Sequence, residues 1–250
     1  MGLGKKDYFA TTRWSVVLSS RAASDATGQA HAALSELCRI YWRPVFAYVC
    51  HRGHQFSDAQ DLTQDFLLHV LEGNILKRAD PNRGRFRALL CSSLRNFLHD
   101  AHEQKSAKKR GGGQHFVEWE EWVAGAPSQL SFAAETVEAW PAEKVFDLRW
   151  AATVVERSLG RLKEECDRRG RGRVFEVLQT FLTTDEAQLS YAQASVMLEL
   201  PEATVKTLLH RMRLRFRALL REEVAETVED GAEIDAELRY LCSVLSVVRS

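Results

Sequence analysis

No stretch of the chain approaches the roughly 18 consecutive apolar residues that a membrane-crossing helix needs. The first residues, Met1 to Phe9, carry two lysines with no apolar core behind them. No secretory leader is therefore expected, and a cytoplasmic location follows. Cysteine is scarce and poorly spaced. The five thiols (Cys38, Cys50, Cys91, Cys166, Cys242) are odd in number, and no C-x-x-C occurs. Zinc clusters and a disulfide framework are thereby disfavoured, and reduced, mostly buried thiols are expected. Catalytic signatures are missing too: no G-x-S-x-G, no phosphate-binding G-x-x-x-x-G-K-[ST], no H-E-x-x-H. The alternation of apolar and polar residues that marks strands is hard to find.

Charge of one sign is also lacking, but only in the sum. The 250 residues hold 34 basic and 34 acidic side chains. Arg83 to Gly113 has eight Lys/Arg against two acids, and Val117 to Asp147 has seven acids against one lysine. Glu202 to Arg221 has six Lys/Arg against one acid, and Glu222 to Glu237 has eight acids and no base. Two basic segments, each followed by an acidic one, suggest two contact regions for a polyanion.

What is present is helical periodicity. His31 to Arg52 places Leu34, Leu37, Ile40, Tyr41, Val45, Tyr48 and Val49 three and four apart, with Pro44 expected to kink or split the helix and Gly53 to stop it. A second helix is expected to open at Ser57 with Gln60 as its capping-box partner, and to bury Leu62, Phe66, Val70 and Leu71. A third runs from about Arg85 to Glu103. Lys105 to about Lys144, rich in Gly, acids and scattered aromatics, reads as a linker. Further helices fit 146–168, 171–183, 190–199 and 202–223, with Ser190 and Gln193 as another capping box. A tail helix fits 232–248. The short helix, the tight turn and the longer basic helix opened by Pro201 form a helix–turn–helix pattern.

Four groups of residues are singled out. On the basic helix, Val205, Leu208, Leu209, Met212, Phe216 and Leu219 make a core stripe, and Thr204, Lys206, Thr207, His210, Arg211 and Arg213 fall largely off it. Such a face suits guanine edges and phosphates. The second group is the basic cluster Arg83, Arg85, Arg87, Arg95, Lys105, Lys108, Lys109 and Arg110, interleaved with Phe86 and Phe97. Aromatics among cations suit unpaired bases, although both rings also match the core stripe. The third group is an acidic ridge. Asp58, Asp61 and Asp65 share one face with Gln64 beside them, either as a solvated, dipole-compensating surface or as a dock for a basic partner. The fourth is the histidine pairs His51/His54 and His99/His102, placed at helix C-termini where a cation is favoured. No catalytic residue, metal or cofactor is expected.

Together these segments resemble an extracytoplasmic-function (ECF) sigma factor of the sigma-70 family. "DAQDLTQDFLLHVLE" followed by "ADPNRGRFRALLCSSLRNFLHD" looks like region 2, and "YAQASVMLELPEATVKTLLHRMRLRFRALL" looks like region 4. "TTRWSVVL" and "AETVEDGAEIDAELRYL" resemble an ECF subgroup with an extended C-terminus. The resemblance implies an all-α fold of two helical domains joined by a flexible linker. Its parts would be an N-terminal extension (1–27), region 2 (28–110), an acidic linker (111–145), the region 4 helix–turn–helix (146–224) and an acidic helical extension (225–250).

The resemblance also implies the roles. Asp58, Asp61, Gln64 and Asp65 would dock on core RNA polymerase, with Phe66 in the core. Asn82, Arg83, Arg85, Arg87, Arg95, Asn96, Lys105, Lys108, Lys109 and Arg110 would capture and help melt the −10 element. Thr204, Lys206, Thr207, His210, Arg211 and Arg213 would read the −35 element. Partners would be core polymerase, promoter DNA and an anti-sigma factor or other regulator. The free protein would be a monomer without enzymatic activity. Three positions depart from the family pattern: Glu199 stands where Gly is usual in the turn, Pro201 replaces a Ser/Thr cap, and Leu208 occupies a commonly basic site. The rival readings are a stand-alone helix–turn–helix regulator, a protein-interaction module and a metal-dependent hydrolase.

Overall fold

A computed structural model describes residues 28–72, 86–107, 140–183, 189–228 and 231–247. Every regular element among them is a helix. They are α1 (Gly28–His51), α2 (Phe56–Leu71), α3 (Phe86–Ala107), α4 (Ala142–Arg168), α5 (Gly172–Leu178), α6 (Thr180–Thr183), α7 (Tyr191–Leu198), α8 (Glu202–Ala225) and α9 (Ile234–Val247), with a 3₁₀ turn at Gly231–Glu233. No described helix is long and apolar enough to cross a membrane. The expected extension 1–27 and nearly all of the expected linker lie outside the described residues.

Periodicity locates the helices well, and local chemistry adjusts their ends. α1 continues through Pro44 without splitting. Proline removes one backbone bond, at about 3 kcal/mol in a helix interior. Buried neighbours on both sides, Tyr41, Trp42, Val45 and Val49, hold the helix together across it. The stop at Gly53 is as expected: its φ of 88° is left-handed, and its N–H returns to the Cys50 carbonyl at 2.9 Å. The capping box at Ser57 does not form. α2 starts at Phe56 with Gln55 as N-cap and no side-chain cap bond, so Ser57 already sits inside the first turn. α4 begins four residues earlier than expected, behind Pro141. The helix expected over 171–183 is two short ones, α5 and α6.

Two apolar cores result. The first gathers α1, α2 and α3 around Leu37, Tyr41, Phe66, Phe86 and Leu94, together with Phe146, Trp150 and Val154 from the first half of α4. Tyr41 is its hub, stacked on Trp150 at 4.4 Å and edge-on to Phe86 at 5.1 Å. The second core joins Leu159 and Leu162 of α4 to Phe175, Phe181, Ala194 and the buried stripe of α8. α4, 27 residues and about 40 Å long, therefore belongs to both. The tail helix α9 sends Leu241 into the first core rather than the second.

Ion pairs lace α4 to its neighbours. Arg157 bridges Glu36 of α1 at 3.1 Å and Glu223 of α8 at 2.9 Å. Arg43 of α1 reaches Glu156 at 2.8 Å, and Arg215 of α8 reaches Glu165 at 2.7 Å. Hydrogen bonds from Arg215 hold the Glu165 carboxyl below its ordinary range. The five cysteines are free. Cys38 is buried, and Cys50, Cys91 and Cys166 are half-buried. Burial pushes the Cys38 thiol up to about 12, which makes it an inert core group.

Candidate nucleic-acid interface

α7, the turn and α8 form a helix–turn–helix unit. The Ser190–Gln193 capping box forms as expected: each side chain bonds the other residue's backbone N–H, at 3.2 and 2.8 Å. α7 ends after eight residues because Glu199 turns left-handed, at φ 54° and ψ 38°. The Leu200 N–H then closes back on the Ser195 carbonyl at 3.1 Å, a Schellman-type bond. The Ser195 hydroxyl donates to the Leu200 carbonyl at 2.5 Å and ties the turn from the other side. Glu199 is the one described non-glycine residue with positive φ. It holds a place that glycine would occupy with less strain. Glu199→Gly is expected to stabilise the fold by about 1 kcal/mol, raising the melting midpoint by roughly 2–4 °C. Thermal unfolding followed by circular dichroism checks this, and a lower midpoint would show that the carboxylate has another task.

α8 buries Val205, Leu209, Met212, Phe216 and Leu219, so its opposite face is fixed outward. At 100° per residue, Thr207, His210 and Leu214 run along the middle of that face. Arg211 flanks them on one side, and Lys206 and Arg217 on the other. All six are exposed. Leu214, exposed to 52%, and Arg217 were not in the expected set. Both lie off the core stripe, and continuing the same helical count one more turn would have found them.

The expected contact residues are not equally available. Lys206 pairs with Glu202 at 3.5 Å, and its ammonium lies 5.3 Å from the Tyr191 ring centre. Arg213 donates to the Phe181 carbonyl at 3.1 Å, which anchors α8 to α6. The Thr207 hydroxyl donates to the Ala203 carbonyl at 2.9 Å. Thr204, His210 and Arg211 present exposed side chains.

The second basic cluster is only partly placed. Asn82, Arg83, Arg85, Lys108, Lys109 and Arg110 lie outside the described residues, and Lys105 is described only as backbone of α3. Arg95 and Asn96 are exposed on α3. Arg87 is not. Its side chain is 12% exposed and ion-paired to Asp147 of α4 and to Glu237 of α9, the latter at 2.8 Å. Burial works against its charge, but the two carboxylates outweigh it and raise its pKa above the ordinary value. Phe86 is fully buried and Phe97 half-buried, so both rings serve the core.

On α2 the ridge is as the spacing predicts. Asp58, Asp61 and Asp65 are exposed, Gln64 is half-buried, and Phe66 is buried in the first core. The histidine pairs do not assemble a closed metal site. His51 is engaged by the Trp140 carbonyl at 2.6 Å. Among the described residues, the group best placed for a cation is His99, Asp100 and Glu103, all exposed on one stretch of α3, with ligand atoms within 4.8 Å of one another.

No protein-family model, curated protein or solved structure matches this chain.

Proposed function

We propose that the chain is a promoter-recognition subunit of bacterial RNA polymerase, an ECF-type sigma factor of the kind its motifs resemble. The observation that carries the reading is the α7–turn–α8 unit, whose second helix is held by a buried stripe and turns Thr207, His210 and Arg211 outward. A recognition helix entering the major groove needs that arrangement. The exposed acids of α2 support the same reading, because a regulator that acted alone would not need them. In this scheme α8 reads the −35 element, and α3 with the chain around it handles the −10 element. Asp58, Asp61, Gln64 and Asp65 dock on the polymerase. The protein acts in the cytoplasm, is a monomer when free, and carries out no chemistry by itself. Its affinity for free DNA is weak and falls steeply with salt, as phosphate contacts dictate.

The test is co-elution of the purified chain with bacterial core RNA polymerase on gel filtration at moderate salt. A one-to-one complex is expected. No complex, together with tight binding to duplex DNA alone, would replace the reading with a stand-alone regulator.

Two substitutions divide the roles. Arg211→Ala is expected to lower transcription from a cognate promoter about tenfold, the loss of one good base or phosphate contact, and to leave polymerase binding unchanged. Equal loss of both activities would remove α8 from its assigned role. Asp61→Ala with Asp65→Ala is expected to weaken polymerase binding about tenfold, because opposite charges at a rim set association. Stability should move by no more than about 0.5 kcal/mol, as is usual for exposed sites. A collapse in melting temperature would show that the ridge is structural.

A further inference from the structure

We propose that α9 is an autoinhibitory strap, which fastens the N-terminal turn of α3 into a closed arrangement where the chain's own carboxylates occupy Arg87. The proposal rests on the sigma reading, which places Arg87 among the residues that meet promoter phosphates.

The geometry is specific. Arg87 offers Nε to Glu237 at 2.8 Å and Nη2 to the same carboxylate at 3.4 Å. Its Nη1 goes to Asp147. A guanidinium fork held by carboxylates is held as phosphate oxygens would hold it. The arginine also lies 4.6 Å from the ring centre of Tyr240, and the Tyr240 hydroxyl donates to Asp147. The Phe86 N–H donates to the Thr227 carbonyl at 3.3 Å, in the segment leading to α9. The strap is tied at a second point, where Arg221 of α8 pairs with Asp235. Within this seam Phe86 is buried and the Arg87 side chain is 12% exposed, while Ala88 on the same turn stays exposed.

The composition of the contact favours one that parts. On α9 the most deeply buried side chain is a carboxylate, Glu237, and Leu241 is the one apolar side chain fully buried among its described residues. Ile234, Leu238, Tyr240 and Leu245 are half-buried. Desolvation offsets most of the attraction within a buried ion pair, and its separated members return readily to water. The α1–α4 seam differs: it is centred on the stack of Tyr41 and Trp150, and its ion pairs Arg43–Glu156 and Arg157–Glu36 are more exposed than the Arg87 cluster. Release of α9 frees Arg87 from Glu237 and Tyr240, leaves Asp147 of α4 as its remaining carboxylate partner, and withdraws Leu241 from the first core.

The test uses the full chain in three forms: parent, Glu237→Gln and Tyr240→Phe. Hydrogen exchange read by mass spectrometry is expected to speed up about tenfold in α9 and the first turn of α3, with α7 and α8 as protected as in the parent. No change would overturn the strap, and so would an equal rise in every helix, which would make α9 ordinary core packing. Each form is also titrated with a fluorescein-labelled, mixed-sequence single-stranded DNA 20-mer. Affinity is expected to rise about fivefold to tenfold in both variants, because a competent state populated in only a fraction of molecules weakens apparent binding by that fraction. Faster exchange without tighter binding would also overturn the proposal. Failure of all three forms to bind core polymerase would remove the sigma reading, and the exchange and oligonucleotide results would still decide the strap.

Discussion

Arg87→Ala is expected to destabilise the fold by about 3–5 kcal/mol, the usual result of removing one partner from a buried charge cluster. The substitution leaves Asp147 and Glu237, whose side chains are 10% and 2% exposed, without their shared cation. Two carboxylates then face each other in a poorly solvated seam, and Tyr240 loses the guanidinium beneath its ring. For a chain of this size the melting midpoint should fall by roughly 10 °C or more. Differential scanning calorimetry checks it. The cause is desolvation rather than lost attraction, and a second variant separates the two. Replacing all three charges together, as Arg87→Met, Asp147→Leu and Glu237→Leu, should recover most of the stability, since apolar groups of similar volume match buried ion pairs. A triple variant as unstable as Arg87→Ala would show that the charges specify the packing. Glu237→Gln is milder than Arg87→Ala because it leaves the Arg87–Asp147 pair intact.

Trp150→Ala is expected to cost a similar amount, about 3–5 kcal/mol, for a different reason. Trp150 is fully buried at the centre of the first core and stacks on Tyr41, with Phe146 beyond it at 6.1 Å from the tyrosine. Truncation opens a cavity between α1 and α4 that neither helix can close, because Arg43–Glu156 and Arg157–Glu36 hold their spacing. Trp150→Phe should cost much less, below about 1.5 kcal/mol. The buried indole Nε1 has no hydrogen-bond partner among the described residues, so its removal also relieves a desolvated donor. Urea unfolding of the two variants checks the pair. If phenylalanine proves as damaging as alanine, the indole makes a polar contact that the packing does not reveal.

The helices were legible in the sequence because their signals are local. The three-and-four spacing of Val205, Leu209, Met212 and Phe216 depends only on neighbours along the chain, and so does the Ser190–Gln193 box. The exposed ridge of Asp58, Asp61 and Asp65 follows from the same arithmetic. Partners that lie far away in sequence were not legible. Arg87 reads as part of a basic contact surface, and the structure adds carboxylate partners 60 and 150 residues distant. No local pattern announces that pairing. Ser57 failed for the opposite reason. It had the chemistry of a cap, but α2 starts two residues too early for it to serve. Glu199 shows a third case: glycine is preferred in a left-handed turn, yet the bonds at Leu200 and Ser195 hold the turn around a glutamate.

The helix α4, shared by both apolar cores, has a thermodynamic consequence. Neither core can lose its half of α4 without fraying the half that completes the other, so the two are expected to melt in one calorimetric transition, with equal van't Hoff and calorimetric enthalpies. The same coupling makes the chain a linkage system. A ligand that grips the α8 end adds its binding free energy to the survival of the α1–α3 end, and a partner captured by α2 protects the distant helix–turn–helix against heat in equal measure.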